Sequence, residues 1–170
     1  ELYASLFDEM GLDYEVVFTC NRYDYSFDKE FEGYNYIDED LLYFPKADVF
    51  LIPADVTHRV GLVPAYYSNN GALFIRKDGS PEKGWDVKTR KATIPADPYW
   101  LSCDTLILNA VLSEDMSEAA FNVSQSMTGH NAATIQVLTD FLTEEEASTL
   151  LESMVKNLNA NQELDHFEYE

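Results

Sequence analysis

Pro45-Lys46-Ala47-Asp48 separates two short apolar runs, Leu41–Phe44 and Val49–Ile52, and this arrangement constrains the fold more than any other feature of the chain. Runs this short, divided by a turn tetrapeptide, read as an antiparallel hairpin. Pro53 ends the second run, since proline has no amide to give to a central ladder. The same pattern recurs along the chain. Tyr14–Thr19 is rich in β-branched and aromatic residues and predicts a strand. Leu73–Arg76 predicts a short strand turned by Asp78-Gly79, and Thr89–Ile94 a further one. Thr105–Leu112 and Ala120–Thr128 predict two more, joined by the acidic turn Ser113–Ser117. In the second of these, Phe121, Val123 and Met127 fall on one face, with Asn122, Ser124 and Ser126 on the other.

Helical spacing appears in three places. Leu2, Leu6 and Met10 share a stripe that Gly11 stops. No N-cap precedes Leu2, so the pattern is expected to begin upstream. Ala132–Leu142 predicts a second helix after the breakers Gly129 and Asn131. Thr143 and Glu146 form a capping box, opening a third helix whose stripe is Ala147, Leu150, Leu151, Met154, Val155 and Leu158. A last strand is expected near Glu163. Residues 21–40 and 53–71 read as loops. Residues 78–103, with three of the six prolines and both tryptophans, read as a join. The expected organisation is α+β: a truncated antiparallel sheet with one helix over 1–85, then a small domain of antiparallel strands and two helices over 86–170.

Charge limits the partners. The chain carries −20, which repels phosphate backbones and argues against nucleic acid and anionic membrane surfaces. A hydrophobic fraction of 46% argues for a packed core. No apolar run is long enough to span a bilayer. The basic residues Arg76, Lys77, Lys83, Lys88, Arg90 and Lys91 lie between two acidic flanks. They can face acidic neighbours in the same molecule or receive an anionic ligand. Asp24, Asp28, Glu30, Glu32 and Asp38–Asp40 lack the calcium-loop pattern and read as a solvated face.

Candidate chemistry is sparse. Cys20 and Cys103 match no metal motif and can be buried thiols or a bridge. No two of His58, His130 and His166 have zinc-ligand spacing, so no metal and no cofactor is expected. His58 follows Asp55 in a proline-bounded loop and is either a displaced base or a plain loop histidine. His130 reads as a strand-to-helix connector and His166 as exposed. Tyr23, Tyr25, Tyr34 and Tyr36 are interleaved with acids and could bind a partner or pack.

The helix Leu2–Leu12, the strand Tyr14–Thr19 and Thr19-Cys20-Asn21-Arg22 resemble the segment after the catalytic cysteine in bacterial transglutaminase-like proteins. Leu42-Tyr-Phe-Pro45 and Phe50-Leu-Ile-Pro-Ala-Asp55 resemble that family's next two strands. Thr128-Gly129, an Ala-containing helix, a Glu-rich helix and a strand resemble the small domain that follows. The combination is the type termed domain of unknown function 3857 in front and 3858 behind. The resemblance implies a papain-like thiol core exported across the inner membrane, to a periplasmic or extracellular place. An upstream part of the same protein would complete that core.

The family's triad is cysteine, histidine and an acid or amide. By resemblance the cysteine lies roughly five residues before Glu1. Tyr36, in Tyr34-Asn35-Tyr36, stands in the histidine position, and a phenol with a pKa near 10 is a poor base. Ile52-Pro53-Ala54 occupies the acid's place, with Asp55 two positions late. These departures imply a non-catalytic binding or scaffold module for a protein, peptide or glycan. The alternative is a thiol enzyme acting on amide bonds, with an upstream cysteine and His58 as replacement base.

Overall fold

A computed structural model describes residues 2–30, 33, 35, 37–80, 82, 84–156 and 165–166. Tyr34, Tyr36 and the strand expected near Glu163 lie outside the described residues. The chain is α+β, and its described sheets are antiparallel. It divides into two compact units, Glu1–Ala133 and Thr134–Glu170.

In the first unit, α1 (Leu2–Glu9) precedes β1 (Glu15–Thr19). Gly11, at φ 66°, closes α1 as a Schellman cap: its amide donates to Asp8 O and that of Leu12 to Phe7 O. β2 (Glu39–Phe44) and β3 (Val49–Leu51) form the hairpin expected around Pro45–Asp48. β4 (Gly71–Ser80) and β5 (Gly84–Thr93) complete a five-stranded sheet in the order β3-β2-β1-β4-β5.

β4 is longer than its apolar run suggested. Asp78-Gly79 does not turn the chain; Asp78 pairs with Asp86, Gly79 with Trp85 and Ser80 with Gly84. Gly79 (φ 107°) and Gly84 (φ 82°) explain the extension. A Cβ on Gly79 would collide with Gly84 O, so only glycine lets the strands close there. Lys77 over the Trp85 ring at 4.0 Å and Lys88 bonded to Asp78 at 2.5 Å hold this end without burial. The join expected at 85/86 thus falls within the β4–β5 ladder.

The core lies on one face of the sheet. Val17, Leu41, Phe50, Ala72 and Phe74 are buried there with Ile52, Val63, Tyr67 and Ile94. The register places Val17 opposite both Leu41 and Phe74, and Tyr43 opposite Phe50, so one side of each pleat fills one apolar layer. The lid over this layer is residues 52–70, a segment without strand or α-helix. Arg90, from β5, lies 3.8 Å over the Phe74 ring and pairs with Glu15 at 2.6 Å. Across the sheet, Phe7 of α1 meets Phe44 edge-on at 5.3 Å.

After the 3-10 turn Tyr99–Leu101, β6 (Asp104–Leu112) and β7 (Ala119–Met127) form a separate two-stranded sheet. Leu106, Leu108, Ala110 and Leu112 share a face with Val123, Phe121 and Ala119. Ile107, Asn109, Ser124 and Asn122 lie on the other. α2 (His130–Phe141) follows and crosses into the second unit, which also holds α3 (Glu144–Lys156). The capping box at the start of α3 is formed: Thr143 N donates to Glu146 Oε2 at 2.9 Å, and Glu146 N to Thr143 Oγ1 at 3.3 Å.

Phe74→Ala removes a ring that touches Phe50 and Tyr43 and carries Arg90 on its face. It is expected to cost about 3–5 kcal/mol in urea unfolding. A loss under about 1 kcal/mol would contradict this core.

Candidate functional site

The lid segment carries the most connected polar cluster. Asp55 follows the chain reversal at Pro53, its amide bonded to Ile52 O at 3.2 Å. Asp55 Oδ1 accepts from the Thr57 amide at 2.8 Å and the Thr57 hydroxyl at 2.5 Å, an Asx-type turn that sequence spacing alone permits. Oδ2 accepts from the Tyr66 hydroxyl at 2.6 Å and from His58 Nδ1 at 2.8 Å. Burial works against the Asp55 charge. The bonds from Thr57, Tyr66 and His58 outweigh burial and hold its carboxyl far below the usual carboxylate range. Tyr66 moves the opposite way: burial, then its bond to the Asp55 carboxylate, push its hydroxyl above the usual phenol range. The neighbouring Tyr67 does the same, through burial and a 2.5 Å bond to Glu39.

An ionised carboxylate only accepts, so Asp55 fixes the proton of neutral His58 on Nδ1 and leaves the lone pair on Nε2. The structure therefore joins the two residues that sequence spacing marked as weak catalytic candidates.

A second histidine–carboxylate pair lies against the first. His130 Nε2 is 3.0 Å from Asp97 Oδ2, which also accepts from the Val63 amide at 2.8 Å. The His58 and His130 rings are 5.4 Å apart, tilted by 56°. Local chemistry places His130. Gly129, at φ 56°, lies where a Cβ would collide with Leu101 O and meet Ser102 Oγ at 2.6 Å. That close approach lets Ser102 Oγ accept from the His130 amide at 3.1 Å. Thr128 Oγ1 bonds Leu101 O at 2.9 Å on the same turn. His130 is therefore more than a connector. The only sequence signals were Gly129 and the break it makes; Asp97, Tyr66 and Glu39 carried none.

Other candidates lie apart from this cluster. Tyr23 and Tyr25 are exposed, with Arg22 5.6 Å from the Tyr23 ring. Cys20 is a buried free thiol beside Tyr25 O and Asn70 Nδ2, and Cys103 an exposed one bonded to Trp100 O at 3.2 Å. His166 is exposed. The basic strip meets acids of the same molecule: Arg76 with Asp13, Lys77 with Asp8, Lys88 with Asp78 and Arg90 with Glu15. Two depressions flank α1, an apolar one lined by Phe7, Phe44, Val49 and Leu51, and a mixed one lined by Val16, Ile75, Trp85 and Val87 with Asp8, Asp13 and Lys77; neither is lined by His58. Among the described residues no group of three or more His, Cys, Asp or Glu is arranged to hold a metal ion, and no helix is long and apolar enough to cross a membrane.

Comparison with protein-family models, with curated proteins and with solved structures finds no match to this chain.

Since the folded Asp55 carboxyl is shifted down, its stabilising charge is fully present above the unfolded value near 4 and is lost as pH falls below it. Asp55→Asn is expected to lower stability by about 1.5–3 kcal/mol at pH 7. The gap to the wild type should narrow at pH 3, where the wild type is losing what the variant never had. Equal gaps at both pH values in urea unfolding would contradict the network.

Proposed function

We propose that the chain is a transglutaminase-like module that works by binding a polypeptide, in an extracytoplasmic setting, without catalysing a reaction. One observation carries the binding reading: the β6–β7 ribbon presents Leu106, Leu108, Leu112, Phe121 and Val123, each more than half exposed, on one face. Leaving such a face in water is unfavourable, and contiguous exposed apolar surface marks contact sites. Thr105–Leu112 and Ala119–Met127 contain no charged residue, whereas the joining turn holds Glu114, Asp115 and Glu118. Among the described residues this sheet has two strands, so each has an outer edge able to pair with an added strand. The occupant that fits is an extended peptide with alternating apolar residues and a basic end that meets the acidic turn. The exposed rings of Tyr23 and Tyr25 are a second, separate candidate surface.

A random peptide library displayed on phage tests this reading. Panning should enrich alternating apolar sequences with a flanking Lys or Arg, and Leu108→Asp should weaken the enriched peptides at least tenfold. Leu108 is exposed, so the variant should fold. Enrichment indifferent to Leu108→Asp would overturn the assignment of this face.

The alternative reading, a thiol enzyme acting on amide bonds, is favoured by the Asp55–His58 pair, because Nε2 of His58 has the basic tautomer a cysteine nucleophile needs. It requires a cysteine upstream of Glu1, where the family resemblance places it. In the full-length protein, fast alkylation of that cysteine below pH 7, lost in His58→Ala, would establish this alternative against the binding reading. Thiols that all titrate near 8.5 would exclude it.

A further inference from the structure

The His58–His130 pair has a geometry that the binding reading does not use. Each imidazole is anchored through one nitrogen to a carboxylate: His58 through Nδ1 to Asp55 at 2.8 Å, His130 through Nε2 to Asp97 at 3.0 Å. Among the described residues the other nitrogens, His58 Nε2 and His130 Nδ1, make no hydrogen bond. Ligating histidines are held in this way, with the distal N–H on a carboxylate that fixes the tautomer and raises the basicity of the free nitrogen. The spacing fits as well. A metal about 2.05 Å from each nitrogen lies about 3.2 Å from each ring centre, so a tetrahedral angle separates the centres by about 5.2 Å. The observed separation is 5.4 Å, with the rings tilted rather than stacked.

The geometry points to a two-histidine site for a divalent late first-row metal ion, Zn²⁺ or Cu²⁺, with His58 and His130 as ligands and Asp55 and Asp97 as their anchors. Imidazole suits both ions, and affinity should follow the order Cu²⁺ above Zn²⁺. Asp55 and Asp97 are engaged with the far nitrogens, which agrees with the lack of any three-residue ligand group among the described residues. Two protein ligands leave the remaining positions to water or to a group from a partner. The site is half-sheltered: side-chain exposure is 15% for His58 and 32% for His130, so an ion can reach it. A net charge of −20 also concentrates cations near the surface.

The test is titration of the whole chain with Cu²⁺ and with Zn²⁺, followed by calorimetry. His58→Ala and His130→Ala should each weaken binding at least tenfold, while His166→Ala, at an exposed position, should leave it unchanged. A readout on the wild type avoids any doubt about variant folding: the Cu²⁺ electron paramagnetic resonance spectrum should show hyperfine splitting from two imidazole nitrogens. A spectrum with one nitrogen or none, or binding that depends on His166 instead, would overturn the site.

Discussion

One constraint shapes the first unit: the apolar face of its sheet is covered by chain that forms neither strand nor α-helix. Residues 52–70 lie over Val17, Leu41, Phe50 and Phe74, and a lid of this kind has no ladder in which to satisfy its own amides and carbonyls. Side chains and isolated backbone bonds do it together. Arg22 Nη1 donates to Ser68 O at 2.6 Å, and Asn70 Nδ2 to Cys20 O at 2.7 Å. Gly61 N reaches back to Phe50 O at 2.9 Å, and Asn69 N reaches Ile94 O at 2.9 Å. Asp55 is the most heavily used of these fasteners, because one carboxylate takes four hydrogen bonds from Thr57, Tyr66 and His58.

The candidate site is a consequence of that solution. A carboxylate kept ionised by several donors is also a fixed acceptor, and it sets the tautomer and orientation of the histidine beside it. Asp97 does the same work at the other side of the lid, tying the Val63 amide and His130 to one oxygen. Two fasteners of the same chemistry thus bring two imidazoles together, although each is needed locally for a different stretch of chain. The same cluster can serve stability, proton transfer or metal ligation, and only the state of the free nitrogens separates these uses.

Much of the fold was legible wherever a short-range rule decides. Pro45–Asp48 gave away the hairpin, Gly11 the end of α1, and Thr143 with Glu146 the start of α3, because each acts within a few residues. The alternation of Phe121 and Val123 with Asn122 and Ser124 revealed the two faces of β7. The end of β4 was misread because Asp78-Gly79 has ordinary turn chemistry, and what keeps the strand going is Gly84 across the ladder. Of the site, Asp55 and His58 were visible as neighbours in a loop. His130 and Asp97 were not, since their meeting with that loop depends on Gly129 folding tightly against Leu101 and Ser102, a tertiary contact with no periodicity to betray it.

The central claim is that two carboxylates orient two facing histidines in opposite senses. Nitrogen-15 spectra of the metal-free protein at pH 7.5, assigned for both imidazoles, test it directly. The account predicts the proton on Nδ1 for His58 and on Nε2 for His130, with cross-relaxation between the two rings. A His58 ring protonated on Nε2, or rings with no cross-relaxation, would contradict it.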